Sequence, residues 1–147
     1  MTGTDDRSVP EELGVLIKET QALLNQRMDE VLRPLGLSVP QYACLQALHD
    51  TPEVTGSALA RRAFVSRQSM NVLLQGLEKR GLVERAEEPG RRRERATVVT
   101  AAGTALVRQA RDDVAGVAEA MTAGLGTTGA GRLRTLLTAC RDALRAP

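Results

Sequence analysis

The chain has 147 residues, 42% of them hydrophobic but only 1% aromatic, and a formal net charge of +2. That length suits one domain with helical extensions, and with Tyr42 and Phe64 as its only aromatic residues the core has to be aliphatic, built from Leu, Val and Ala. No apolar run reaches the length of a membrane-spanning helix and the N-terminus lacks a signal-peptide core, which predicts a cytoplasmic protein with no membrane partner.

Residues 1–7 are polar and expected to be disordered. Ser8-Val9-Pro10-Glu11 is a capping-box pattern with proline in the first turn. Leu13, Leu16, Ile17, Thr20, Leu23, Leu24, Met28, Val31 and Leu32 follow at helical spacing, so a long amphipathic helix should run to about Arg33-Pro34. Leu35-Gly36-Leu37 breaks it. Ser38-Val39-Pro40-Gln41 repeats the capping signature and opens a second helix through about His49, with Tyr42, Leu45 and Leu48 on its apolar side. Asp50-Thr51-Pro52 ends that helix. Thr55 can cap a short helix from about Ser57 to Ala63, whose Ala58, Leu59 and Ala63 should face inward.

A connection of Phe64-Val65-Ser66 leads into a further helix from Arg67 to about Arg80, with Ser66 as N-cap and Gly81 as stop. Its apolar face is Met70, Leu73, Leu74 and Leu77. Its other face carries Arg67, Gln68, Ser69, Asn71, Val72 and Gln75. Short donors and acceptors with a methyl-bearing side chain are what base edges in the major groove can be read by. Two β-type runs come next, Leu82 to Ala86 and Arg95 to Val99, joined through a Pro89-Gly90 turn and the basic run Arg91-Arg92-Arg93. Between Ser57 and Arg95 there are ten basic and five acidic residues, a local +5, against ten and thirteen, a local −3, elsewhere. That asymmetry places a polyanion-facing surface in an otherwise acidic chain. Helix, tight turn, helix and basic hairpin make a winged helix-turn-helix, with one helix directed to the major groove of double-stranded DNA and the hairpin beside it.

Thr100 can cap a long helix from Ala101 to about Ala123, with Leu106, Val107, Ala110, Val114, Val117, Ala118, Met121 and Leu125 on one face. Gly124, Gly126, Gly129 and Gly131 surround a break, and a last helix carries Leu133, Leu136, Leu137, Cys140 and Leu144. These flanking helices are more apolar than one winged-helix core requires, which predicts an intermolecular partner. The expected fold is thus mostly α with a small β-hairpin wing. A DNA-binding lobe spans residues 38–100, and dimerisation helices span 8–34 and 101–146 of a single domain.

The chemistry of catalysis finds no foothold in the sequence. The sole histidine, His49, lies at a helix end without a nucleophile beside it. There is no glycine-rich phosphate loop and no His/Cys cluster at zinc spacing, and Glu87-Glu88 are adjacent carboxylates on a polar hairpin. No catalytic residue, metal or cofactor is expected. Cys44 and Cys140 both fall at apolar helix positions, which predicts buried structural thiols; a redox-sensing regulator is the reading they leave open.

The stretches Leu37-Ser38-Val39-Pro40-Gln41-Tyr42, Leu59-Ala60, Leu77-Glu78-Lys79-Arg80-Gly81-Leu82-Val83-Glu84-Arg85 and Thr100-Ala101-Ala102-Gly103 together resemble the MarR-type transcriptional regulators over nearly the whole chain. The resemblance implies a homodimer on a palindromic operator, often released by a small ligand or by oxidation. It implies ligand binding between the dimer helices and the DNA-binding lobe, where Tyr42, His49 and the first helix are the candidates. The family's wing usually carries Asp-x-Arg, the acid bracing the loop and the arginine entering the minor groove. Aligning backward from Thr100 puts Arg91 at the acid and Arg93 at the arginine, with Glu94 or Glu88 as substitute braces. Phe64 stands where the family often has glycine. Val72 and Gly76 occupy positions often polar or basic, so no relative's operator sequence carries over. The reading from a different class is a winged helix used only as a protein-interaction module, which the Arg91 to Arg93 run opposes.

Overall fold

The computed structural model describes residues 8–52, 54–63, 65–85 and 96–147. Helix α1 spans Val9–Leu32 and tightens into a 3-10 turn over Arg33–Leu35. The Ser8 N–H donates to Glu11 Oε2 at 3.2 Å, one arm of the expected capping box. Helix α2, Val39–Asp50, has both arms: Gln41 N–H donates to Ser38 Oγ at 3.2 Å and Ser38 N–H to Gln41 Oε1 at 2.9 Å. Each such pair satisfies two amides that a helix start leaves unbonded.

Helix α3, Gly56–Ala63, is capped by Thr55, whose Oγ1 accepts from the Ala58 N–H at 3.1 Å. Helix α4, Arg67–Lys79, follows after the turn, and Gly81 takes φ +73° behind it. The Leu82 N–H then returns to the Leu77 carbonyl at 3.0 Å. This closure uses up the amide of Leu82, so strand β1 starts one residue later than expected, at Val83, and runs to Arg85. It pairs antiparallel with β2, Thr97–Val99, in the register Val83–Val99, Glu84–Val98 and Arg85–Thr97. Of the rest of the expected β runs, Ala96 precedes the strand, and Ala86 and Arg95 lie outside the described residues.

Helix α5, Ala101–Thr122, is capped by Thr100, whose Oγ1 accepts from the Gly103 N–H at 3.1 Å. A 3-10 turn over Ala123–Leu125 leads into α6, Gly126–Arg145. The last helix therefore begins earlier than the glycine cluster suggested. Only Gly126, at φ +70°, makes the corner, and Gly129 and Gly131 lie inside the helix.

The core is aliphatic and belongs to the lobe. Leu45, Leu59, Met70, Leu77, Val83 and Val107 are fully buried, with Leu32, the last residue of α1, closing one side. In α3 the buried pair is Leu59 and Ala60, while Ala58 and Ala63 are half-buried. Outside the lobe the picture changes. Helix α1 buries only Leu32, and α6 buries no residue. No helix among the described residues is long and apolar enough to cross a membrane.

Candidate nucleic-acid interface

The turn between α3 and α4 is held at both ends. The Val65 N–H donates to the Ala60 carbonyl at 3.0 Å. Ser66 Oγ accepts from the Ser69 N–H at 3.1 Å and donates to Ser69 Oγ at 2.9 Å. Met70, Leu74 and Leu77 then bury one side of α4. With that side committed to the core, helical periodicity turns Arg67, Gln68, Ser69, Asn71, Val72 and Gln75 outward, and all six are exposed. Val72 keeps 64% of its surface in solvent, so its methyl groups stand free on the same face as the polar side chains. The helix thus presents hydroxyl, amide, guanidinium and methyl groups together, and its N-terminal turn adds a positive dipole end. The root of the hairpin stands beside it. The candidates Arg91, Arg92 and Arg93 lie outside the described residues.

The two weak ligand candidates come together elsewhere, at the join of α2 and α5. Tyr42 is buried, and the cost of desolvating its phenolate raises its pKa; a hydrogen bond with Arg111 works the other way. Arg111 Nη2 also reaches both carboxylate oxygens of Asp50, at 2.8 and 2.9 Å, and His49 Nδ1 lies 3.2 Å from Asp50 Oδ1. Asp50 is held below the usual carboxylate range by Arg111 first and His49 second, and Arg111 is raised in turn by Asp50. Tyr42 and His49 are therefore members of a bridge between two helices. Arg111 and Asp50 were not anticipated, because nothing local links residues 61 apart.

An open, mostly apolar groove lies elsewhere, between α1 and α5. It measures about 640 Å³ and is walled by Leu23, Leu24, Val31 and Val117, with Arg27 and Asp113 at its edges. Neither Tyr42 nor His49 lines it. The expectation of two buried thiols needs correcting. Cys44 is buried, but Cys140 is exposed, because α6 packs no face into the lobe. Among the described residues, no group of His, Cys, Asp and Glu side chains is arranged to hold a metal ion.

A three-helix lobe with an outward polar helix behind a tight turn and an antiparallel hairpin is a winged helix-turn-helix. The MarR family model matches residues 35–94. The HTH-type transcriptional repressor Rv2887 of Mycobacterium tuberculosis is 37% identical over 98 residues, which are 67% of this chain and 70% of that one. Its crystal structure in complex with salicylic acid superimposes with a TM-score of 0.74 at 30% identity, over 94% of this chain and 99% of that one. Its complex with DNA gives 0.74 at 28% identity, over 92% and 98%. The chain belongs to the MarR family and is a DNA-binding transcriptional regulator.

Proposed function

We propose that the chain is a cytoplasmic repressor. It acts as a homodimer on a palindromic operator, reads base edges with Arg67, Gln68, Ser69, Asn71, Val72 and Gln75, and anchors to the backbone and minor groove through Arg91, Arg92 and Arg93. The observation that carries this reading is the exposure of the whole polar face of α4, Val72 included, behind a turn fixed at both ends. The long helices, residues 8–34 and 101–146, supply the dimer contact, because the apolar residues exposed on α1 and α6 find no cover within one chain. Its role is regulatory and not enzymatic.

Release by a small effector fits the same scheme. The relative Rv2887 has been crystallised with salicylic acid and with p-aminosalicylic acid. The groove between α1 and α5 offers apolar walls with one cation and one carboxylate, Arg27 and Asp113, a combination suited to a small apolar molecule with a polar group that Arg27 can meet.

The test begins with selection of bound genomic fragments to recover an operator, followed by binding isotherms at several salt concentrations. Loss of one base-edge contact costs about 1–3 kcal/mol at the cognate base. Loss of one phosphate contact lowers the salt slope by about 1 and weakens all sequences alike. Asn71→Ala is expected to flatten discrimination between operator and near-operator DNA with the salt slope kept. Arg93→Ala is expected to weaken both DNAs and reduce the slope. Salt-insensitive binding, or none, would instead favour the protein-interaction module.

A further inference from the structure

We propose that Arg80 is a positioning residue for operator binding: it ties the end of the recognition helix α4 to the root of α1 and so helps to fix the separation of the two recognition helices in a dimer. The proposal rests on the homodimer reading above.

Arg80 immediately follows α4, where a basic residue would be expected to serve its own helix terminus. Its guanidinium goes elsewhere. Nη1 donates to the Gly36 carbonyl at 2.5 Å and Nη2 to the Leu35 carbonyl at 3.4 Å, 44 and 45 residues back in the chain. Those carbonyls end the 3-10 extension of α1, where a helix leaves acceptors unbonded and its dipole favours a cation. Bonds from a charged donor are the stronger kind. Gly36 makes the approach possible, since a Cβ there would stand 2.9 Å from Arg80 Nη2.

The other long helix grips the same short segment. Thr100, the cap of α5, donates from Oγ1 to the Gly81 carbonyl at 2.6 Å and from its N–H to the Leu82 carbonyl at 3.1 Å. Residues 80–82 therefore sit between the C-terminal end of α1 and the N-terminal end of α5. These two helices pack along each other, and α1 carries a row of uncovered apolar residues. A shift of one long helix against the other is felt directly behind the recognition helix, and Arg80 is the link on the α1 side.

The experiment measures affinity for the recovered operator, for versions with one base pair inserted or removed at the centre, and for random duplex, each at several salt concentrations. One base pair turns a half-site by about 35° and moves it by about 3.4 Å. Wild type is expected to lose about tenfold or more on either altered spacer. Arg80→Met should bind the native spacing about tenfold more weakly, yet bind the altered spacers and random duplex as wild type does. Arg80→Lys keeps the charge but not the two-pronged donor, and should show the same flattened spacing preference. Arg80→Lys decides the question if Arg80→Met does not fold by thermal melting. A spacing preference kept in these variants, or an Arg80→Met variant that weakens every DNA alike with a salt slope lower by about 1, would make Arg80 a phosphate contact or a bystander and overturn the proposal alone. Wild-type indifference to spacing would overturn the homodimer reading and this proposal with it.

Discussion

The Cys44 thiol lies 3.7 Å from Met70 Sδ, inside the lobe core. Burial pushes it from an ordinary 9.0 up to about 11. At neutral pH it is a thiol and not a thiolate, and the thiolate is the form that peroxide attacks. Cys44→Ser should accordingly leave any peroxide response of DNA binding unchanged, and a thiol reagent at pH 8 should modify Cys44 in the folded protein far more slowly than in the urea-unfolded chain. The same burial links the residue to stability. Because the folded value is raised, the folded state holds the proton more tightly than the unfolded chain does. The stabilisation is complete below about 9 and is lost as pH rises through about 11. The slope from one such proton is at most about 1.4 kcal/mol per pH unit. A plot of unfolding free energy against pH is expected to fall less steeply for Cys44→Ala than for wild type over that interval. Tyr42, also raised by burial, keeps some slope in both. Parallel curves would mean that the thiol does not feel the core.

Helix α5 meets the hairpin root through its first turn, and Gly103 is the contact. A Cβ on Gly103 would overlap the Leu82 carbonyl oxygen and stand 2.7 Å from Val99 Cγ1. Both neighbours are pinned, Leu82 by its backbone bonds to Leu77 and Thr100, and Val99 by its strand pairing. Gly103→Ala should therefore cost about 1–3 kcal/mol as overpacking, read from urea unfolding. Gly76→Ala is the control. It is a helical glycine with nothing within 4 Å of the added carbon, and alanine there should gain up to about 1 kcal/mol. If both variants are stabilised, the helix does not sit where the contact requires. These elements differ in how far they could be read from sequence. Ser8, Ser38, Thr55, Ser66 and Thr100 could each be recognised as caps because a cap acts within three residues of itself, and the spacing of Met70, Leu74 and Leu77 fixed which side of α4 faces out. The Arg80 link to Gly36 and the Arg111 bridge to Asp50 could not be read, since they join residues 44 and 61 apart and either arginine would have looked at home on a solvated helix face. Cys140 was misplaced for a related reason. Its apolar spacing is real, but spacing does not say whether the covering surface belongs to the same chain.

At the scale of the whole molecule, the uncovered surface is the dominant feature. Leu13, Leu16, Ile17 and Leu23 on α1 and Leu136, Leu137 and Leu144 on α6 are all exposed, with Leu144 keeping 88% of its surface in solvent. Apolar stripes of that kind on stable helices mark a partner surface. A second copy brings a self-complementary one by two-fold symmetry. Since α6 contributes no buried residue to the lobe, removing it should not unfold the lobe. Deleting residues 127–147 is therefore expected to leave a helical, cooperatively melting chain that is monomeric by light scattering. Operator binding should fall steeply, because two half-sites no longer bind as one unit. The slope of affinity against salt should drop to about half, since each lobe then neutralises only its own phosphates. A charged pair, Leu136→Glu with Leu137→Glu, should act in the same direction without shortening the chain. A truncated chain that stays dimeric would move the interface off α6. A monomer that keeps the full salt slope would mean that one lobe makes all the phosphate contacts, and the long helices would then need a different role.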